Sequence, residues 1–409
     1  MAKTEEMIKS AAKASGNGKL SALTGNEAVA QAMRQIDPDV VAAYPITPAT
    51  EIVQIFSSFV SNGQVHTEFV AVESEHSAMS ATIGASAAGS RAMTGTSSQG
   101  LALMWEMLYI AAGLRLPIVM PVTNRALSAP INIHCDHSDT MGARDAGWIH
   151  IFSEDSQEAY DNTIQAIRIA EHPEIQLPTM VTYDGFIISH AMEVVQMEQD
   201  AEVKAFVGEY KPRISLLDVE HPITIGGLDF TDFYFEHRRG LVEPIMKCKD
   251  VVLEVGKEFG KKFGREYGLY ETYKLDDADY AIVVLGSTAG TAKITIDELR
   301  SKGVKAGMLK VRMFRPFPYD EIAQELLGKK AVAVLDRSDG LAGRGGPVFG
   351  EIRNAICDQP NKPITVDYVY GLGGRDIGPD LIETVYTDLQ DIANTGKVKN
   401  LVTYLGVRE

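Results

Sequence analysis

Four polar side chains that could do acid–base or anion-binding chemistry are each associated with an apolar run of the sequence. Thr47 follows "VVAAY", and Glu75 follows the apolar part of "VAVESEHSA". Ser98 lies in the polar turn "TGTSSQGL", and Arg125 comes directly after "LPIVMPVTN". A carboxylate that faces little water has a raised pKa and can exchange a proton with a nitrogen base. An arginine fork can hold a carboxylate through two parallel hydrogen bonds.

Thr47 stands between two prolines in the segment "AAYPITPATEIV". Pro45 and Pro48 lack a backbone N–H, and each pushes the residue before it out of the helical region, so the strand must stop here. Pro48 suits the first turn of a helix, and Thr47 suits the N-cap before it. Thr47 is therefore predicted either to cap that helix or to present its hydroxyl to a ligand.

The other candidates also have purely structural interpretations. Glu73 and Glu75 could both cap a helix start, where the helix dipole favours negative charge. Arg125 could serve only in a structural salt bridge, because the turn that follows it is rich in polar residues. Three of these crowd together: Asp136, His137 and Asp139.

The elements that must position these side chains alternate between strand and helix, which predicts an α/β fold with parallel sheets. Buried strands are predicted at "DVVAAYPIT", "SRAMTGTSS", "LPIVMPVTN" and "PTMVTYDG". Helical patterns cover residues 48–61, 75–88, 100–113 and 156–171. Ligands bind at the carboxyl ends of such strands, so the four polar elements are expected to line one shared crevice.

The rest of the chain divides into further segments. Residues 1–19 are predicted to be a mobile tail, 20–202 the first α/β domain, 203–274 a connecting and packing region, and 275–409 a second α/β domain. The second domain has predicted strands at "YAIVVLGS", "GMLKVRMF", "AVAVLDRS" and "PITVDYVYGLGG". The stretch "GLAGRGG" lacks the G-x-G-x-x-G spacing, so a turn with close backbone packing is predicted there.

Composition excludes several classes of function. The net charge is −16, which argues against nucleic acid and anionic membranes as partners. No apolar run is long enough to span a bilayer, and the amino terminus lacks the apolar core of a signal peptide, so a cytoplasmic protein is expected. The 3 cysteines are widely spread and form no C-x-x-C, so no iron–sulfur cluster or structural zinc is expected in this chain. The G-D-G signature of a thiamin diphosphate site is also missing.

Taken in order, "YPITPAT", "VESEHSAMSA", "TGTSSQGLALM" and "NRALSAPINIHCDHSD" resemble the alpha subunits of 2-oxoacid:ferredoxin oxidoreductases, most closely the pyruvate-specific group. The resemblance covers nearly the whole chain beyond the tail. It implies a pyrimidine-binding domain like that of other thiamin diphosphate enzymes, followed by a domain like the carboxyl-terminal domain of transketolase.

The resemblance also implies roles for individual residues. Glu75 matches the glutamate that contacts N1′ of the aminopyrimidine, and Ser98 lies in a motif expected to contact the cofactor. Thr47 matches a threonine that hydrogen-bonds the substrate, and Arg125 matches the arginine that holds the substrate carboxylate. Glu73 matches no functional position and is interpreted as structural.

The implied reaction is the oxidative decarboxylation of pyruvate to acetyl-CoA and CO₂, with coenzyme A as co-substrate and ferredoxin as electron acceptor. A separate beta subunit would carry the diphosphate and Mg²⁺ site and a [4Fe–4S] cluster, which agrees with the motifs that this chain lacks. A gamma subunit and a ferredoxin-like delta subunit are implied too.

Three alternatives stay open at this point. The substrate could be phenylglyoxylate or a branched-chain 2-oxoacid. 2-Oxoglutarate is less favoured, because alpha chains for that substrate often carry a fused domain in front. A non-catalytic scaffold subunit is the alternative from another class, but a scaffold would not need Thr47, Glu75 and Arg125 in one crevice.

Overall fold

Two large sheets organise the chain in a computed structural model, which describes residues 18–408. The tail predicted for residues 1–19 therefore lies outside the described residues as far as residue 17. The elements in chain order are β1 (Lys19–Thr24), α1 (Gly25–Ile36), β2 (Val40–Ala43), α2 (Thr50–Ser61), β3 (Glu68–Ala71), α3 (Glu75–Ala87), β4 (Ala92–Met93), α4 (Ser98–Leu103), α5 (Trp105–Gly113), β5 (Val119–Asn124), α6 (Ser138–Gly142), β6 (Ile149–Phe152), α7 (Ser156–Glu171), β7 (Thr179–Asp184), β8 (Met192–Met197), α8 (Asp200–Val207), α9 (Tyr234–Gly240), α10 (Val242–Phe263), β9 (Tyr270–Tyr273), β10 (Tyr280–Val284), α11 (Thr288–Ser301), β11 (Ala306–Val311), β12 (Met313–Arg315), α12 (Tyr319–Leu326), β13 (Ala331–Asp336), α13 (Pro347–Ile356), β14 (Ile364–Tyr370), a 3₁₀ turn (Leu372–Gly374), α14 (Pro379–Thr395) and β15 (Val402–Leu405).

The first sheet has 7 strands in the order β12-β6-β7-β5-β4-β2-β3. All neighbouring strands are parallel except β12, which runs antiparallel to β6. Strands β3 and β4 lie on opposite sides of β2, so the direction of strand order reverses there. In an open α/β sheet, the crevice at such a reversal is where ligands bind.

Helices cover both faces of the first sheet. On one face, the buried side chains of α1, α2 and α7 form a core with the long helix α10. On the other face, buried residues of α3, α4 and α5 pack together with Trp148. Burial on both faces explains why strands such as β5 and β7 are buried along their whole length. The predicted α/β fold class is confirmed.

The second sheet has 6 strands in the order β15-β14-β13-β10-β11-β9. Five of them are parallel, and β9 pairs antiparallel to β11 at the edge. The separate strands β1 and β8 form a small antiparallel ribbon. None of the helices in residues 18–408 has the length and apolar character that crossing a membrane requires.

The glycine-rich stretch after β13 packs closely against its own strand, as its spacing predicts. A Cβ added to Gly346 would overlap the carboxyl group of Asp336, and one added to Gly340 would overlap the carbonyl of Gly345. The Asp336 carboxylate accepts hydrogen bonds from the amides of Val348 and Phe349, at 3.1 and 2.8 Å. An aspartate of the chain therefore occupies the amino end of α13, where a dinucleotide-binding fold would hold a phosphate.

Two predicted elements differ from the structure. The run "GMLKVRMF" is not one strand: it divides at Arg312 into β11 in the second sheet and β12 in the first. The Arg312 guanidinium donates to Oδ1 of Asn162 through Nε (3.0 Å) and Nη2 (2.7 Å). The backbone carbonyl of Arg312 accepts from the amide of Phe152 at 2.8 Å. The predicted helix over 100–113 is likewise two helices, which meet at Met104.

A buried lysine ties the two sheets together. Lys310 on β11 is only 4% exposed at its side chain, and its ammonium group contacts three carboxylates at 2.5–2.7 Å. Burial alone would lower the lysine pKa, but these carboxylates outweigh it and raise the pKa. The carboxylates come from two parts of the chain: Glu154 and Glu158 around the start of α7, and Glu271 on β9.

Lys310→Met should destabilise the chain strongly, because it leaves this group of carboxylates without its central cation. Removing one partner of a buried ion pair costs about 3–5 kcal/mol. The measurement is the denaturant midpoint of unfolding. The matched control is Lys302→Met, which removes an ion pair to Glu383 whose two side chains are about half exposed, and which should shift the midpoint far less. Equal shifts in the two variants would contradict a central role for Lys310.

Candidate functional site

The four predicted side chains follow four adjacent strands of the first sheet. In spatial order, β5 leads to Arg125, β4 to Ser98, β2 to Thr47 and β3 to Glu75. Because these strands are parallel, all four residues lie at the same edge, across the reversal at β2. This placement is the one that the predicted shared crevice requires, and the crevice itself stays a prediction.

Thr47 lies in the turn between β2 and α2, but it does not cap the helix. Helix α2 begins at Thr50, and its N-cap is Ala49, which makes no side-chain capping bond, so the predicted cap at Thr47 is wrong. The turn is fixed instead by α1, where the side-chain amide of Asn26 donates to the carbonyl of Pro48 at 2.8 Å. Thr47 is exposed, and no described residue bonds its hydroxyl.

Arg125 is nearly buried, and its guanidinium is anchored by main-chain oxygens. Nη1 donates to the carbonyl of Thr47 at 2.9 Å, and Nε donates to the carbonyl of Asn132 at 3.0 Å. Nη2 has no hydrogen-bond partner among residues 18–408, and no carboxylate there forms an ion pair with the guanidinium. The alternative that Arg125 serves only in a structural salt bridge, with Asp136 or Asp139 of the following turn, is therefore wrong. Burial lowers the pKa of Arg125 somewhat, and the nearby Asp139 opposes this shift.

Asp139 connects the loops that carry these residues. Its buried carboxylate accepts hydrogen bonds from the backbone amides of Ser98 and Arg125, both at 3.0 Å, and of Thr140 at 2.7 Å. The side-chain amide of Asn124 adds a fourth bond at 2.9 Å. Burial still raises the pKa of Asp139 to about 6, against the effect of these donors.

Glu75 begins helix α3 but is not its cap. The cap is Ser74, whose hydroxyl accepts from the amide of Ser77 at 3.2 Å. Glu73 is exposed and accepts a hydrogen bond from the Ser77 hydroxyl at 2.5 Å, as expected for a structural residue. Glu75 is 7% exposed, and within the described part of the chain its carboxylate has no hydrogen-bond partner.

The Glu75 carboxylate lies directly against the turn that carries Ser98. A Cβ added to Gly100 would stand 2.7 Å from Glu75 Oε1, so glycine is needed for this approach. In the segment that leads from β4 into α4, the buried hydroxyls of Thr94, Thr96 and Ser97 lack a partner in residues 18–408, and that of Thr96 lies against Gly100 as Glu75 does. Buried polar groups are almost always hydrogen-bonded, so this concentration of unpaired atoms indicates a place where a polar ligand binds.

Ser98 is fully buried, and its side chain is used internally. The hydroxyl lies 2.7 Å from the carbonyl of Ala126 and 2.6 Å from Oε1 of Gln99. Its backbone has a positive φ of 47°, which turns the chain sharply into α4. Any contact of Ser98 with a cofactor is more readily made through the turn it shapes than through a free hydroxyl.

At the carboxyl end of β7, next to β5 in the first sheet, Asp184 joins the two sheets. It accepts from His137 Nε2 at 2.7 Å, from Arg337 Nη1 at 2.9 Å and from the Ser287 hydroxyl at 2.5 Å. Burial would raise its pKa, but His137 and Arg337 outweigh it and hold the pKa well below its ordinary value. The sequence analysis missed Asp184, although it ends an apolar strand just as the other candidates follow theirs.

Two family models match the chain. Residues 31–257 match the model described as "Pyruvate flavodoxin/ferredoxin oxidoreductase, thiamine diP-bdg". Residues 278–382 match "Pyruvate:ferredoxin oxidoreductase core domain II". The first match contains all four strand-end residues, and the second contains most of the second sheet.

Solved structures share the fold. A 2-oxoglutarate:ferredoxin oxidoreductase from Magnetococcus marinus, with 2-oxoglutarate, coenzyme A and succinyl-CoA bound, superposes with a TM-score of 0.72 at 20% identity, covering 92% of this chain and 66% of that one. A split-gene transketolase gives a TM-score of 0.54 at 12% identity, covering 92% of this chain and all of that one. These likenesses agree with the predicted pairing of a thiamin-type domain with a transketolase-like one.

Several curated relatives are similar over nearly their whole length. The pyruvate synthase subunit PorA of Thermotoga maritima is 55% identical over 95% of this chain and 98% of its own. That of Methanocaldococcus jannaschii is 46% identical over 91% and 95%. The ketoisovalerate oxidoreductase subunit VorA of Pyrococcus horikoshii is 42% identical over 92% and 95%. With family models matched in both halves and this degree of identity, the chain belongs to the pyruvate flavodoxin/ferredoxin oxidoreductase family.

Proposed function

We propose that this chain is the alpha subunit of a thiamin-diphosphate-dependent pyruvate:ferredoxin oxidoreductase. The complex would convert pyruvate and coenzyme A reversibly to acetyl-CoA and CO₂ while reducing ferredoxin. The observation that carries the proposal is Glu75, a glutamate only 7% exposed whose carboxylate has no hydrogen-bond partner in the described chain, at the strand-order reversal. Because no residue of the described chain bonds this carboxylate, it is available to a ligand that offers a hydrogen-bond donor.

The residues present fit an aminopyrimidine. Glu75, at the start of α3, supplies the hydrogen-bond acceptor or proton donor for a ring nitrogen. Thiamin diphosphate, when bound, supplies the carbanion that makes the 2-oxoacid carbon–carbon bond breakable. Glu75 holds and returns the proton at N1′, and the neighbouring hydroxyls of Thr94, Thr96 and Ser97 offer further polar contacts.

Arg125 and Thr47 form the substrate side of the same edge. Two guanidinium nitrogens of Arg125 are fixed by carbonyls, which orients the unpaired Nη2 toward an incoming anion. Thr47, whose carbonyl accepts from Nη1, is exposed, and its hydroxyl can donate to a 2-oxoacid oxygen. The arginine supplies charge and a fixed direction, so the carboxylate enters with its reacting carbon in a defined place.

Partner chains would complete the site. Leu103 and Trp105, on the helices that follow the Ser98 turn, are 51% and 50% exposed, which suits a surface covered by another subunit. A beta subunit would bring the diphosphate and Mg²⁺ site and a [4Fe–4S] cluster, because the motifs for both are missing from this sequence. A gamma subunit and a ferredoxin-like delta subunit would pass electrons on to ferredoxin.

A branched-chain 2-oxoacid is the second candidate substrate, since relatives named ketoisovalerate oxidoreductase are 42% identical. The purified complex should be assayed against a panel of 2-oxoacids with coenzyme A and a low-potential electron acceptor. A kcat/KM for pyruvate above that for 2-oxoisovalerate is expected. A reversed ratio would transfer the proposal to the branched-chain substrate.

The isolated chain should be colourless and should bind thiamin diphosphate weakly. Neither a G-D-G motif nor clustered cysteines are available to hold a diphosphate–metal pair or an iron–sulfur cluster. Iron content and cofactor titration by calorimetry test this, with the intact complex as the positive control. Stoichiometric iron or tight cofactor binding in the single chain would contradict the division of the site between subunits.

Glu75→Gln should leave the complex folded but slow removal of the proton from C2 of the bound cofactor. Loss of one positioned acid–base group commonly lowers such a rate about 10²–10⁴-fold. Hydrogen–deuterium exchange at C2 measures it directly. Glu73→Gln is the matched control, since Glu73 lies two positions earlier but is exposed and bonds only Ser77. If both variants exchange at the wild-type rate, Glu75 has no proton-transfer role.

Arg125→Met should damage substrate use more than cofactor binding. Loss of a charge-assisted contact in a desolvated site should lower kcat/KM for pyruvate roughly 30- to 1,000-fold. Lysine should restore only part of it, because it lacks the fork. Steady-state kinetics and a melting curve are measured on the assembled complex, with the exposed Arg353→Met as control. A normal KM and kcat in Arg125→Met would remove the proposed carboxylate contact.

A further inference from the structure

The loop that anchors Arg125 is itself held by a turn of the second domain. Asn132, whose carbonyl accepts from Arg125 Nε at 3.0 Å, uses its side chain elsewhere. Its Nδ2 donates to the carbonyl of Gly373 at 3.0 Å, and its Oδ1 accepts from the amide of His134 at 2.7 Å. One residue thus touches both the arginine and the other domain.

The Gly373 backbone is held from both sides. While its carbonyl accepts from Asn132, its amide donates to Asp136 Oδ2 at 3.2 Å. Asp136 Oδ1 in turn accepts from the amide of Ser138 at 3.0 Å, so this carboxylate also fixes the far end of the Arg125 loop. The loop is closed at its base by the amide of Ala126, which donates to the carbonyl of His134 at 3.0 Å.

The turn at residues 371–374 is shaped for this close approach. Gly371, Gly373 and Gly374 all have positive φ, at 63°, 60° and 81°, a region that other residues rarely adopt. A Cβ on Gly373 would overlap Nδ2 of Asn132, and one on Gly374 would overlap the side chain of His134. Only glycine lets the second domain come near enough to bond the loop.

We infer that Asn132 is a positioning residue that couples the glycine turn at 371–374 to Arg125, so that the second domain sets the direction of the substrate-binding arginine. The inference rests on the carboxylate role proposed for Arg125. Nη1 is fixed by Thr47 within the first domain, and Nε is fixed through Asn132 by the second. Because a rigid guanidinium needs both anchors to aim Nη2, loosening either one should misplace the carboxylate contact.

Asn132→Ala in the assembled complex tests this first. KM for pyruvate should rise about tenfold, while kcat falls less than about threefold and the melting temperature stays close to that of the wild type. An unchanged KM in Asn132→Ala would overturn the inference.

The double variant Arg125→Met/Asn132→Ala separates positioning from general loosening. If Asn132 acts through the arginine, its substitution should add no further loss once Arg125 is methionine. A further tenfold rise in the Arg125→Met background would show that Asn132 acts elsewhere, and would overturn the inference.

Gly373→Ala should produce the same rise in KM, because the added methyl group pushes the turn away from an intact Asn132. Gly396→Ala is the matched control: Gly396 also has positive φ, at 67°, but no atom lies within 4 Å of its added Cβ. Equal KM values in these two variants would contradict the inference. If Arg125→Met alone has a normal KM, the proposed function of Arg125 fails; if only Asn132→Ala is normal, the positioning role fails alone.

Discussion

The arrangement at the sheet edge depends on one buried carboxylate. Asp139 accepts four hydrogen bonds, and they come from the β4 turn, the end of β5, and α6. Placing an ionised group where burial raises its pKa is expensive, and it is tolerated here because every donor is a fixed backbone or amide group. The result is that Ser98 and Arg125, on neighbouring loops, share a single acceptor and cannot move independently.

A second buried carboxylate, that of Asp184, is likewise shared by several loops, and these belong to both sheets. Asp184 accepts from His137 just before α6, from Ser287 after β10 and from Arg337 after β13, so the carboxyl ends of strands from the two sheets meet at one side chain. The crevice therefore rests on two charged centres, one inside the first sheet and one between the sheets. Its unpaired atoms, those of Glu75 and Arg125 Nη2, are at the open side, where the neighbouring Thr47 is exposed.

The sequence predicted correctly those features that depend on residues close together in the chain. The parallel α/β pattern, the helix from Ser156 to Glu171 and the strand-end positions of Thr47, Glu75 and Arg125 all follow from short apolar runs and the residues that end them. The prediction from sequence failed where a residue is held by a hydrogen-bond partner that is distant in the chain. Nothing near Thr47 shows that Asn26 rather than a cap holds its turn, and nothing near Asn132 shows that it meets Gly373. The division of "GMLKVRMF" at Arg312 likewise depends on Asn162, 150 residues earlier.

Strand β12 comes from a late part of the chain but belongs to the first sheet, which has a consequence for synthesis on the ribosome. Strand β6 pairs with β7 on one side and with β12 on the other, and β12 lies in a much later part of the chain. While residues 313–315 are still inside the ribosome, the emerging first domain has an unpaired strand edge at β6. Such edges invite pairing with other chains. The longer the chain takes to reach residues 313–315, the longer the β6 edge of the nascent protein stays open to such pairing.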